Sequence, residues 1–146
     1  MQKKILMSVN RIKLFFFPDP QKKNFVFITY LTISLLAILL LEFIIAWINL
    51  PDNVPIHFNL KGEADHYGDK SSLWVLLIVP VTIFLVASAL LQSNLIALSF
   101  KSEKNPGDKQ LAEESKLMLY IVRAAVVFVF CILAAITYWQ GQQTIS

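Results

Sequence analysis

Histidines and carboxylates crowd one short stretch of the chain: His57, Glu63, Asp65, His66 and Asp69. Imidazole and carboxylate are the side chains that move protons near neutral pH and bind divalent cations. A zinc-type site needs three or four such groups converging, and no HExxH or paired CxxC pattern accompanies these. No metal is assigned on that basis. A second use is general-base catalysis, with His57 as the base and Asp65 orienting it. That chemistry also needs a nucleophile, and the stretch holds no serine or cysteine before Ser71. No catalytic residue and no cofactor are assigned. Two uses remain. His57 and Asn59 can hydrogen-bond loop backbone while Asp65 and Lys70 fix the loop's return, or His57, Asn59, Asp65 and Lys70 can face a ligand or partner.

Two further ionisable residues sit in strongly apolar surroundings, Glu42 and Arg123. An ionised carboxylate deep in a bilayer costs at least a few kcal/mol, so Glu42 should face protein or water. It lies about 6 Å to one side of its helix's middle, and Arg123 about 7 Å to the other side of its own. A level difference of about 13 Å is too large for a direct pair. Arg123 is therefore expected to snorkel to the headgroups. Glu42 is left either protonated or solvated beneath the loop, as a proton- or cation-responsive group or as a carboxyl hydrogen-bonded among helices.

Three apolar blocks must position these groups. Phe25 to Leu50, Leu73 to Ala97 and Leu117 to Trp139 each hold at most one charge, within a 146-residue chain that is 56% hydrophobic. About 20 helical residues cover the roughly 30 Å hydrocarbon core of a bilayer, so each block is a spanning helix. A soluble protein of three buried helices is excluded, because too little polar surface remains to cover them. The expected fold is an all-α integral membrane protein with transmembrane helices over 25–49, 73–97 and 117–139. The connections are an outer loop over 50–72 and an inner loop over 98–116, with a basic segment over 1–24 and a short outer tail over 140–146. The mixed basic and apolar stretch from Lys3 to Phe17 reads as an interfacial helix or as a disordered arm. Pro18 and Pro20 break its apolar run, so it is no secretion signal. Cys131 lies inside the third block as a packing residue, without an intrachain disulfide partner. Along the second helix Ala89, Ser93 and Ala97 form a small-residue stripe, and Pro80 is a place for a kink. Asn105-Pro106-Gly107-Asp108 reads as the turn of the inner loop.

Orientation follows the lysines and arginines of the short connections. Lys3, Lys4, Arg11, Lys13, Lys22 and Lys23 precede the first helix, and Lys101, Lys104, Lys109 and Lys116 precede the third. The first loop carries only Lys61 and Lys70, against Asp52, Glu63, Asp65 and Asp69. The N-terminus is therefore expected in the cytoplasm and the first loop outside. Trp47, Trp74, Tyr138 and Trp139 then fall at outer helix ends, where amphipathic rings favour the interface. The net charge of +3 belongs to this topology and gives no reason to expect nucleic acid.

Within the outer loop, Pro51-Asp52-Asn53 reads as a turn. From Val54 to Leu60 the chain alternates, with Val54, Ile56, Phe58 and Leu60 on one face and Pro55, His57 and Asn59 on the other. Lys61-Gly62 offers a reversal and Gly68 a second flexible point. The expectation is a small two-stranded flap, anchored on the helices by Val54, Ile56 and Phe58. Asp69, Ser71 or Ser72 caps the second helix.

Leu50, Pro51, Pro55, His57, Phe58, Asn59, Gly62, Asp65, Gly68 and Lys70 together resemble the Leu-Pro, Pro-x-His-Phe-Asn, Gly, Asp, Gly, Lys pattern of a domain of unknown function. That domain occurs in bacterial membrane proteins related to the SdpI-type immunity proteins. The resemblance implies a multi-pass protein of the bacterial cytoplasmic membrane, with a role in immunity, envelope stress or signalling. Its partners would be the lipid bilayer, an extracytoplasmic peptide or membrane protein, and in some states a further copy of the chain. The leading reading is a binding or regulatory module that senses or sequesters an extracytoplasmic ligand. The competing readings are a transporter subunit and a metal-dependent membrane enzyme. A defined oligomer would favour the first of these and a stoichiometric metal the second.

Overall fold

A computed structural model describes residues 23–92 and 106–143 of the chain. The basic N-terminal stretch over 1–22, Ser93 and Ala97 of the small-residue stripe, residues 98–105 of the inner connection and the end of the tail lie outside the described residues. The elements in order are α1 (Lys23–Asn49), β1 (Asn53–Phe58), β2 (Ala64–Asp69), a 3-10 turn (Lys70–Ser72), α2 (Leu73–Gln92) and α3 (Pro106–Gln143). Among the described residues three helices are long and apolar enough to cross a membrane, and the strand hairpin sits between the first two. The architecture is an all-α integral membrane protein.

Over its apolar block each helix is hydrophobic all round, which is why the burial pattern differs from that of a soluble bundle. Phe27, Ile48, Met118 and Trp139 are each more than 60% exposed within the chain. In water such surface would aggregate, whereas against acyl chains it is solvated. Association of the helices then rests on close packing and interhelical hydrogen bonds rather than on escape from water. Pro80 is buried inside α2, and the helix runs on past the backbone bond it cannot donate. Ala89 is exposed, and the buried small residues of α2 are its neighbours Ala87 and Ser88.

α3 begins well before the apolar block that betrays it. The stretch expected to turn at Asn105–Asp108 is, from Pro106 onward, the first turn of this helix. Proline suits a first helical position because its missing N–H would be unsatisfied there, and Asp108 follows near the positive end of the helix dipole. At 38 residues the helix is about 57 Å long, well beyond the hydrocarbon thickness. Its added turns carry Lys109, Glu113, Glu114 and Lys116, with Lys116 reaching Glu113 at 3.5 Å.

The contacts group into two compact units. One comprises the chain up to Ile33 together with Ile83–Ala125, the other Ser34–Thr82 together with the chain from Val126. In the first unit a polar knot joins α1, α2 and α3. Arg123 of α3 is 1% exposed. It donates from Nη1 to Ser88 Oγ of α2 at 2.9 Å and from Nη2 to Thr29 Oγ1 of α1 at 3.0 Å. The rings of Phe84 and Tyr120 lie 4.7 and 4.9 Å from its guanidinium carbon. This corrects the expectation of a snorkelling arginine. Two hydroxyl acceptors and two π faces hold the charge inside the protein, while Nε is enclosed without a hydrogen-bonding partner among the described residues.

In the second unit Leu39, Val127, Cys131 and Ala134 form one buried cluster, and Ala46, Leu50, Val54 and Leu73 a second. Cys131 Sγ donates to the Leu35 carbonyl at 3.4 Å, so the thiol packs and bonds without a disulfide. Glu42 is half-buried here, and its Oε2 is enclosed without a hydrogen-bonding partner among the protein groups.

Candidate functional site: a polar hairpin seated on helix ends

The hairpin is held at its base by the C-terminus of α1. A helix end leaves carbonyls without intrahelical donors and carries partial negative charge. Asn49 Nδ2 satisfies the Ile45 carbonyl at 2.8 Å, and Leu50 N bonds the Ala46 carbonyl at 2.9 Å. Lys70 then donates its ammonium to the Leu50 carbonyl at 2.5 Å and its backbone N–H to the Asp52 carbonyl at 2.8 Å. The same ammonium lies 5.6 Å from the Trp47 ring centre. Phe43, Trp47 and Trp74 complete an aromatic cluster beside it, with centroids 4.8 to 5.9 Å apart. Lys70 is thus the clamp that returns the chain to the membrane helices. Asp69 accepts from Ser71 N at 2.7 Å and caps the turn that leads into α2. Hydrogen bonding from Ser71 holds the Asp69 carboxyl below the usual range.

At the far end the reversal is built around Asn59. Its Oδ1 accepts from Lys61 N at 2.8 Å and Glu63 N at 3.0 Å, and its Nδ2 donates to Glu63 Oε2 at 2.9 Å. Two backbone bonds, Asn59 N to the Glu63 carbonyl and Gly62 N to the Asn59 carbonyl, close the turn. Gly62 has φ +79°, a conformation in which a Cβ would be strained. Gln140 of α3 reaches the Gly62 carbonyl at 3.3 Å. Asparagine and glycine make this turn for separate reasons, one by bonding and one by backbone freedom.

Between base and tip the two strands pair antiparallel with a double irregularity. Register shifts on either side of His57 leave Ile56 of β1 and Asp65 of β2 without a Cα partner. Bulges re-aim side chains, and here the aim is specific. His57 Nδ1 and Asp65 Oδ1 lie 2.6 Å apart, with side chains 68% and 41% exposed. The His66 ring stands edge-on at 6.4 Å. The bulge also breaks the expected alternation. Val54 and Pro55 are both buried, Phe58 is half-buried, and Ile56 and Leu60 are exposed. Gly68 is a strand residue paired with Val54, and its missing Cβ leaves room for Ile56, whose Cδ1 would otherwise be met at 2.8 Å. Space rather than flexibility is its contribution.

The hydrogen bond from His57 holds the Asp65 carboxyl below its ordinary value. An ionised carboxylate can only accept, so Nδ1 of His57 carries the proton and Nε2 is left for another partner. A depressed carboxylate contributes order above its unfolded value and loses it as pH falls through the lowered one. In His57→Ala, the Asp65 carboxyl followed by NMR should therefore titrate at higher pH than in the wild type. An unchanged midpoint would show that the imidazole does not hold this carboxylate.

Of the residues singled out by sequence, His57 and Asp65 come together and are exposed. Asn59 bonds within the turn and Lys70 to the Leu50 carbonyl at the end of α1. Among the described residues no three His, Cys, Asp or Glu side chains converge as a metal ion would need. Thr29 and Ser88 are the partners that sequence reasoning missed. Their signal was placement, since hydroxyls on α1 and α2 stand at the level of an arginine on α3.

The fold and hairpin define a multi-pass helical membrane protein with a small polar two-stranded insertion. Residues 33–84, from within α1 through the hairpin into α2, match a family model described as a domain of unknown function (DUF1648). No curated protein and no solved structure matches the chain.

Proposed function

We propose that this protein is a binding or regulatory module of the bacterial cytoplasmic membrane, whose hairpin recognises an extracytoplasmic peptide or membrane-protein partner. The observation that carries the reading is the exposed His57–Asp65 pair, fixed by a double bulge on a hairpin tied at both ends. Such a pair presents a hydrogen-bonding imidazole of defined orientation without ordering cost at binding. The absence of a serine or cysteine from the hairpin favours recognition over acyl transfer. The distribution of lysine and arginine supports a cytoplasmic N-terminus and an outward hairpin. Similarity of the loop to the pattern of SdpI-type immunity proteins supports a role in immunity or envelope signalling.

Orientation is tested first. A cysteine introduced by Asp65→Cys, in a Cys131→Ser background, should react with membrane-impermeant maleimide on intact cells, and one at Asp108→Cys should not. The reverse labelling would sink the reading. Recognition is tested by a photo-crosslinking residue at His66. It should give a discrete adduct in intact cells that Asp65→Asn abolishes. An adduct indifferent to Asp65, or none, would remove the pair from the function.

A further inference from the structure

Between β1, the start of α2 and the latter part of α3 lies a half-open cavity of about 320 Å³. Val54, Ile56 and Phe58 line it from β1, Leu76 from α2 and Leu133 from α3. Hydroxyl-bearing side chains on its wall are limited to Ser72 and Thr137. Ordered water needs two to four polar partners, and a wall with two hydroxyls favours an apolar occupant.

Its mouth shows where that content comes from. Val75 lies on the wall and is 57% exposed, and on α2 it continues into exposed Ile78. On the α3 side Leu133 and Thr137 are flanked by exposed Ile132 and Ile136. These are surfaces of membrane-spanning helices, so the opening is continuous with the face that acyl chains solvate. Trp74 beside the α2 wall, and Tyr138 and Trp139 beside Thr137, are side chains that settle where headgroups meet hydrocarbon. A lipid whose headgroup lies at that level has its chain at the mouth.

We propose that this cavity binds one acyl chain of a membrane lipid, which packs against β1 and braces the hairpin from below. The site is separate from the His57–Asp65 pair and does not depend on the partner proposed for it. A lateral opening in spanning helices meets acyl chains at their bulk concentration, which favours lipid over the side chain of a protein partner. The hairpin would then be seated partly on lipid, and its order would follow the acyl chains available.

The test uses the full chain in phosphatidylcholine nanodiscs doped with a phosphatidylcholine that carries a mid-chain diazirine. After irradiation, adducts mapped by mass spectrometry should include the β1 segment Val54–Phe58, which lies outside the helices. Val75→Trp fills the mouth from an exposed position, and Leu133→Phe fills it from the opposite wall. Each should abolish the β1 adducts and keep those on Ile132 and Ile136. Adducts confined to the helices in the wild type would overturn the proposal and leave the cavity to apolar side chains of a protein. So would β1 adducts that survive both fillings.

Discussion

Removing both hydroxyl partners of Arg123, as Thr29→Ala with Ser88→Ala, is expected to destabilise the protein by about 3 kcal/mol or more. Each hydroxyl accepts from the guanidinium, and hydrogen bonds to charged groups contribute about 1.5–3 kcal/mol apiece. The double variant leaves a full charge that is 1% exposed with only the Phe84 and Tyr120 rings around it. Arg123→Met, which keeps most of the length and removes the charge, should cost less. Ser88 already donates to the Phe84 carbonyl at 2.7 Å, so its hydroxyl is not orphaned when the arginine goes. Replacing buried ionic groups by apolar ones of similar volume is often neutral or stabilising, whereas stranding one charge is not. Thermal unfolding in detergent gives the ranking directly. If Arg123→Met is the more destabilising, the guanidinium is needed for something other than joining the three helices.

That knot marks where the sequence stopped being legible. The spanning helices could be read because twenty apolar residues in a row have few alternatives, and α1 begins and ends within two residues of its apolar block. α3 extends beyond its apolar block because its first turns are charged and amphipathic, carrying pairs such as Lys116 with Glu113 that hydropathy does not reveal. The place of Arg123 is not legible from the level of the opposite charge, Glu42, because its partners are the hydroxyls at its own level. In hydrocarbon a guanidinium is satisfied by any good acceptor, and Thr29 and Ser88 look unremarkable one at a time. The hairpin was legible as a reversal between strands, since Asn59 and Gly62 announce it. Its double bulge was not, because a period-two pattern assumes a regular ladder and nothing local marks Ile56 and Asp65 as extra. Yet the bulge is what brings His57 to Asp65.

The same irregularity moves the hairpin's anchor toward its base, and that has a measurable consequence. With regular alternation, Phe58 would be the main apolar contact of β1. As folded, Phe58 is half-buried beside a cavity, while Leu50 is 3% exposed and Val54 fully buried in one cluster with Ala46 and Leu73. Leu50 also fills the space over Gly141 of α3, where a Cβ would stand 2.6 Å from its Cδ2. Leu50→Ala should therefore open a void that α1, β1 and α2 cannot close. The expected cost is about 3 kcal/mol, typical of a buried leucine truncated to alanine. Phe58→Ala should cost clearly less, because the residue is only half-buried and borders a cavity that already exists. His57→Ala should leave stability near the wild-type value, since an exposed pair contributes little to folding. Thermal unfolding of the three variants in one detergent, with amide exchange at Tyr67 and Gly68 reporting the strands, separates them. Equal costs for Leu50→Ala and Phe58→Ala would restore the regular flap and remove the bulge from the argument. A large cost for His57→Ala would make the imidazole a structural strut, against the recognition proposed for it.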